Sequence, residues 1–380
     1  MKKAEALAHF EQTYVQPKLL QKLLQAQDYL LQHRDELAAD FQKSLCQICL
    51  AIKARQLKGE LGKVGFIHYA MLRSAILFRK PQYRIDVYPK EWYFDLDAPE
   101  CSAYFDADPI FKFLDELERE LDGPRRQYLN RITPVDLEQI KLREAPKFNR
   151  LLVSLADYAL SYTPLPAQLS EIAKEPEFEI RVGEYYDLTE VVYKEDVRNK
   201  EAEAIKEWLE DKHENSYVAA VLKNLDLSHG DYAGNDLRRV DFQGSNLAKA
   251  NFQSCLLSKA RFADCQLNQA DFSDAILHDA DFSGANLQQA VFSGAEGARG
   301  ITSDLDLNIH SVWGVNFSGA NLEGANFRYA NLQGANFNQA RFNQFTNFDG
   351  ARLQQAVFNQ AARPYLKLEP QQADVIIWID

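Results

Sequence analysis

Between Asn235 and Phe292 the chain reads NDLRRVDFQGSNLAKANFQSCLLSKARFADCQLNQADFSDAILHDADFSGANLQQAVF. A five-residue unit, A-[DN]-[LF]-x-x, repeats through it and continues to Phe358. The central residue alternates: Phe242, Phe252, Phe262, Phe272, Phe282 and Phe292 take one set of slots, Leu237, Leu247, Leu257, Leu267, Leu277 and Leu287 the other. From Phe252 on, a small residue stands two places before each, as at Ala250, Cys255, Ala260 and Cys265.

Side chains recur every 3.6 residues on a helix and every 2 on a strand, so neither element gathers a five-residue period onto one face. The chain has to turn at every unit, with the small and central residues inward. Four such sides close a square coil in which residues twenty apart stack at roughly the 4.8 Å spacing of neighbouring strands. Phe242, Phe262 and Phe282 then form one ladder, and Phe252, Phe272 and Phe292 another, at a separation suited to offset ring stacking.

These units resemble the pentapeptide-repeat family over residues 222–360, and the resemblance implies a right-handed quadrilateral β-helix. Nothing before residue 222 carries a comparable signature. The expected organisation is a mixed, largely helical α+β domain at 1–213, a repeat coil at 214–360 with an excursion at 293–316, and a tail at 361–380 containing a strand. At ~4.8 Å per coil, about six coils make a rod roughly 29 Å long.

The chain has 380 residues and a net charge of −12. Residues 222–360 hold 10 Lys and Arg against 14 Asp and Glu, leaving about −8 for the rest. That balance disfavours direct nucleic-acid binding, which needs a basic face. The start, MKKAEALAHF, reads poorly as a signal peptide, and no apolar run reaches membrane-spanning length. Five cysteines in such a chain suggest a reducing cytoplasm rather than a disulfide framework. Cys46 and Cys49 form a CxxC with no second pair or nearby His to complete a metal site, so no metal or cofactor is expected.

In the first part, Leu19, Leu20, Leu23, Leu24 and Leu31 mark one helical stripe and Leu37, Phe41, Leu45, Ile48 and Ile52 a second. GELGKVG at 59–65 lacks the preceding strand and GK[ST] ending of a phosphate loop. Residues 64–95 read as sheet, and helices are expected from Asp108 to Leu121 and from Pro134 to Tyr162. A hairpin at 177–196 and a charged helix at about 198–213 follow. His68 reads as a packed histidine. The acid pairs Asp95 with Asp97 and Asp106 with Asp108 read as loop acids and caps, and no residue acquires a catalytic role.

Candidate binding residues lie where the repeat is irregular. Leu256 and Ile276 stand in successive coils at a place usually held by Asp or Asn, an outward apolar pair that invites a cover. Asp264, Asp271, Asp274, Asp279 and Asp281 are close in sequence. Between Phe292 and Phe317 the phase inverts unless one or three units stay in the coil, so the others loop out. His310 and Trp313 are then expected to anchor a protruding loop. Phe342 to Phe348 spans six residues, which places a bulge near Gln344. The strand-like DVIIWID is expected to pair with the first domain's sheet or a second subunit, forming a homodimer in the latter case.

The leading functional expectation is a non-catalytic scaffold for a protein partner. One alternative comes from the resemblance: some family members are held to mimic duplex DNA, bind type II topoisomerases and confer drug resistance, and the five acids are the local feature that fits. Another is an enzyme or pathway accessory protein whose site lies in the first domain.

Overall fold

A computed structural model describes residues 2–90, 103–185, 187–213, 217–300 and 311–380. The chain divides into two units, Met1–Arg198 and Asn199–Asp380. The charged helix before the repeats therefore belongs to the second unit, although the sequence placed it in the first.

In the first unit, α1 (Lys3–Phe10), a π-helical turn (Glu11–Val15) and α2 (Gln16–Gln32) run on without a break. After them comes α3 (Arg34–Leu57). The expected stripe of α3, Leu37, Phe41, Leu45, Ile48 and Ile52, is buried throughout. On α2 the buried line is Leu19, Leu23, Ala26 and Leu30, while Leu24 stays exposed. Next come β1 (Val64–Met71), α4 (Arg73–Leu77), β2 (Gln82–Tyr88), β3 (Ala103–Asp106), α5 (Asp108–Arg125), α6 (Pro134–Ser161), α7 (Gln168–Glu171), β4 (Lys174–Glu184) and β5 (Thr189–Asp196). Thr133 caps α6: its backbone N–H donates to Asp136 Oδ2 at 2.7 Å, and Asp136 N–H donates back to its hydroxyl at 3.4 Å.

The five strands are ordered β3-β2-β1-β4-β5, with only β1 and β4 parallel. Alternate residues face the helices. Tyr69 stacks on Phe41 of α3 at 4.8 Å and 28°, and Tyr83 donates a 2.7 Å bond to Asn149 of α6. The residues between them, including His68, Asp86, Glu179 and Arg181, point to the other face.

The second unit begins with α8 (Ala202–Glu210) and continues as the coil. Parallel bridges join residues twenty apart, and one column of them starts at Val221, passes Asp241, Arg261 and Asp281, and ends at Ile377. Nearly every described five-residue side ends in a turn whose penultimate residue has positive φ, such as Lys259 at 62°, Asp274 at 57° and Gly284 at 67°. The turn is closed by a bond such as Cys255 N–H to the Phe252 carbonyl at 3.2 Å. This corner is what a straight strand cannot supply. The ladders form as the spacing predicts: Phe262 on Phe282 at 4.8 Å and 3°, Phe252 on Phe272 at 4.9 Å and 5°. Rings of the two ladders also meet edge to face, as Phe262 and Phe272 do at 5.6 Å and 84°.

Polar residues in the inward small slot donate along the axis instead of remaining unsatisfied. Ser245 reaches the Leu222 carbonyl at 2.8 Å, Cys255 that of Tyr232 at 3.0 Å and Thr346 that of Leu322 at 2.9 Å. Burial raises the Cys255 and Cys265 thiols to about 12.

Both ends of the coil are closed from within the unit. At the start, Leu209 of α8 joins the coil's core and its carbonyl accepts from Asn235 Nδ2 at 2.7 Å. At the other end, β6 (Asn336–Phe337), β7 (Val357–Asn359) and β8 (Ile377–Ile379) form a parallel three-stranded sheet, and α9 (Pro370–Ala373) precedes β8. The expectation that DVIIWID pairs with the first domain or a second subunit is thus corrected: Val357 pairs with Ile377 and Phe358 with Trp378. The tail supplies the coil's last rung, and Arg363 lies over the Trp378 ring at 4.5 Å.

Candidate functional site

The break in the repeat has a definite geometry. Ile276 bridges Glu296 after twenty residues, but Asp281 bridges Asn316 after thirty-five, so fifteen residues leave the coil and one unit stays. Phe317 thereby returns to the ladder, stacking on Phe282 at 5.2 Å and 11°. Gly300 and Ser311 bridge antiparallel at the neck. Asp279, buried at a corner, fastens the returning strand: its Oδ1 accepts from Ser311 Oγ at 2.7 Å, Trp313 N–H at 2.9 Å and Gly314 N–H at 3.1 Å, and its Oδ2 from Val312 N–H at 3.3 Å. Trp313 sits at this neck, half-buried, rather than on the protruding part. His310, like Asp95 and Asp97, lies outside the described residues.

The five acids do not form one face. Asp279 lies on the side of Leu277, Asp264 and Asp281 on the side of Phe262 and Phe282, and Asp271 and Asp274 on the side of Phe272. Asp271, Asp279 and Asp281 each have a task inside the coil. Asp281 is buried, accepts from Ser283 N–H at 3.0 Å and Asn316 Nδ2 at 2.8 Å, and its carboxyl is raised by burial. Asp271 accepts from the Ser273 hydroxyl and Gln253 amide, both at 2.6 Å. Asp264 and Asp274 each put Oδ1 where a Cβ on the glycine one rung on, Gly284 or Gly294, would stand. Those corners have φ of 67° and 70°, close to the 57–62° that Asp, Lys and Arg adopt at the same turn position elsewhere in the coil.

Leu256 and Ile276 are bridged partners in one column, which also holds Asp236 and Glu296. Leu256 is 40% exposed and Ile276 half-buried. At the six-residue side, Asn343 Oδ1 accepts from Gly324 and Phe345 N–H, both at 3.0 Å, which turns Phe345 outward to 71% exposure. Tyr329, at another corner, is 67% exposed, with Arg328 beside its ring. Tyr329 and Phe345 were not singled out in the sequence; the signal was a large apolar ring at corners that elsewhere mostly hold Gly, Asp, Gln, Lys or Arg.

In the first unit, the polar face of the sheet carries a mixed-charge row. Arg84 donates to Asp86 at 2.8 Å, and Glu179 accepts from Arg181 at 2.5 Å and Lys194 at 2.8 Å. His68 is buried between Asp86 and Arg181 on the flanking strands; burial, then Arg181, lowers it to about 4. Burial raises Asp86 despite Arg84. Opposite charges here largely answer one another, as in a structural ion-pair network. Cys49 of the CxxC is buried on α3 and raised to about 12 by desolvation. Among the described residues, no group of three or more His, Cys, Asp or Glu is placed to hold a metal ion, and no helix is long and apolar enough to cross a membrane.

The periodic corners, the inward ladders and the capped ends define the second unit as a pentapeptide-repeat coil. Residues 220–296 match the family described as a pentapeptide repeat region, and residues 312–344 the family described as pentapeptide repeats (8 copies). Among solved structures, the chain is similar to QnrB1, a plasmid-mediated fluoroquinolone resistance protein, at 18% identity over 44% of this chain and 88% of that one, with a TM-score of 0.30. It is also similar to HetL, a pentapeptide repeat protein involved in heterocyst differentiation regulation from the cyanobacterium Nostoc, at 22% identity over 42% and 82%, with a TM-score of 0.25. A pentapeptide repeat protein from the Arabidopsis thaliana thylakoid lumen matches at 29% identity over 43% and 81%, with a TM-score of 0.16. No curated protein matches the chain.

Proposed function

We propose that this protein is a cytoplasmic, non-catalytic scaffold whose coil, in the right-handed quadrilateral form of its family, presents irregular side chains to a protein partner. The observation that carries this is the exposure of Leu256, Tyr329 and Phe345 at fixed positions on a stack of rings held 4.4 to 5.2 Å apart. Apolar groups on a rigid support lose little entropy on binding, which favours recognition. The five acids support a DNA-mimicking surface poorly, because they divide among three sides and Asp271, Asp279 and Asp281 are engaged within the coil.

The test is photo-crosslinking in the full-length protein, with the crosslinker placed at Leu256, Tyr329 or Phe345, or at Leu50 or Leu57 on the exposed face of α3. A shared partner captured from the coil positions is the expected result. Capture from the α3 positions alone overturns the assignment. Added at micromolar concentration to a type II topoisomerase supercoiling assay, the protein is expected to have no effect.

A further inference from the structure

We infer that the side of the coil between Tyr329 and Arg299 docks a segment of a partner protein that pairs an aromatic side chain with a carboxylate, an inference that rests on the scaffold reading and specifies its partner.

Two long side chains lie along the coil axis here because the next corner in each column is a glycine. Tyr329 stands between Gly294 and Gly350 in one corner column, and a Cβ on Gly350 would be 2.6 Å from its Cδ1. Arg299 precedes Gly334 in the other column, and a Cβ there would be 2.8 Å from Arg299 Cβ and 3.0 Å from its Nε. The Arg299 guanidinium runs on to the following rung, where it donates to Gln355 Oε1 at 2.8 Å. Gly350 and Gln355 are the two corners of one side of that rung, and exposed Arg352 lies between them, in the column that also holds Leu256 and Ile276. One rung therefore presents the Tyr329 ring, Arg352 and the Arg299 guanidinium in order.

Lower in the coil the cations are engaged: Lys223 and Arg261 reach Asp241 at 2.8 and 3.5 Å, and Arg238 reaches Asp236 at 2.6 Å. Arg299, Arg328 and Arg352 are ion-paired with no carboxylate among the described residues. Arg328 instead donates to the Tyr329 hydroxyl at 3.3 Å, with its guanidinium 5.3 Å from the ring centre. Glu296, lower on the same side, accepts from Asn331 Nδ2 at 2.8 Å, and the exposed Asp349 and Asp374 leave the three arginines unpaired. Water solvates exposed guanidinium groups well, so no strain calls for a cover. What favours a partner is that a ring 67% exposed and a guanidinium are already held in place, so little rotamer freedom is lost on contact. The guanidinium fork matches one carboxylate, the ring offers an aromatic stack, and Tyr and Arg are residue types that dominate interface energetics. A nucleic acid also stacks and pairs with arginine, but it needs a continuous basic face, and acids are interspersed here.

The probe is a fluorescein-labelled ten-residue peptide of Ser, Asp and Phe, titrated into the full-length protein by fluorescence polarisation. Saturable binding is expected, roughly tenfold or more weaker for control peptides in which Asn replaces Asp or Ser replaces Phe. Tyr329→Gly, which installs the residue found on either side in its column, and separately Arg352→Glu, are each expected to weaken binding by a similar factor. Lys249→Glu changes the net charge equally at another corner and should leave binding unchanged. Arg352→Gln, which removes the charge alone, covers the case in which a melting curve shows that the reversal destabilises the chain. Equal binding of all three peptides, full binding by either variant, or an equal loss in Lys249→Glu overturns the proposal. Tighter binding of a fluorescein-labelled ten-nucleotide oligo-dT than of the peptide also overturns it. If Tyr329→Gly with Arg352→Glu still yields the partner crosslinked from Leu256 and Phe345, the scaffold reading stands and this surface is rejected.

Discussion

At the scale of single residues, Asp279 shows how one side chain decides where a repeat is interrupted. Three backbone N–H groups and one hydroxyl converge on its carboxylate. Removing the acceptor leaves buried donors unsatisfied, at a cost of about 1–3 kcal/mol. Asp279→Ala is therefore expected to open the neck, lower stability by about that amount and speed tryptic cleavage after Arg299 severalfold. Asp279→Asn should do much less, because Oδ1 accepts three of the four bonds. Equal cleavage of both variants and the parent would show that the neck closes without this residue. Thiol chemistry is a second check: Cys49, Cys255 and Cys265, buried and raised to about 12, should resist iodoacetamide at pH 8 in the native protein and react after unfolding in urea.

At the scale of elements, the repeat was legible in sequence because a five-residue period excludes the helix and the straight strand. The tail was misread for the opposite reason. DVIIWID carries an ordinary strand signal, and a strand signal does not say which strand it pairs with. The clue was its distance: Ile377 lies twenty residues after Val357, the period of the coil itself. The five acids failed similarly, since the chain changes direction at every corner and neighbours in sequence face different ways. The polar row around His68 was illegible because alternation fixes two faces without saying what each will meet. If the tail is the coil's final rung, deletion of residues 361–380 should expose Phe358, the end of the ladder. Loss of several kcal/mol and concentration-dependent association are expected, because solenoid ends need a cap. Trp378→Ala, which removes only the terminal ring and its Arg363 partner, should cost about 1–3 kcal/mol. Light scattering alongside thermal melting separates the two, and a truncated chain as stable and as monomeric as the parent would refute the cap.

At the scale of the whole molecule, the two units bury different ionisable groups, so acid should act on them differently. His68 in the first unit is held at about 4 against an ordinary 6.5. The unfolded chain takes up that proton first, and stability is lost as the pH falls from about 6.5 towards 4. From pH 7 to pH 5, above the ordinary carboxylate range, this amounts to about 2 kcal/mol. Asp281 in the coil has the reverse sign, as has Asp86 beside His68: each folded carboxyl is raised, so acidification through that raised value adds stability, and among the coil's described residues none is a buried histidine lowered as His68 is. Hydrogen exchange of β1 amides in urea should therefore accelerate at pH 5 relative to pH 7, after correction for intrinsic rates, while amides of the Phe262 and Phe282 rungs should not. In His68→Gln the difference at β1 should vanish. If β1 and the coil respond equally, or the variant keeps the difference, the acid sensitivity of the first unit does not originate at His68.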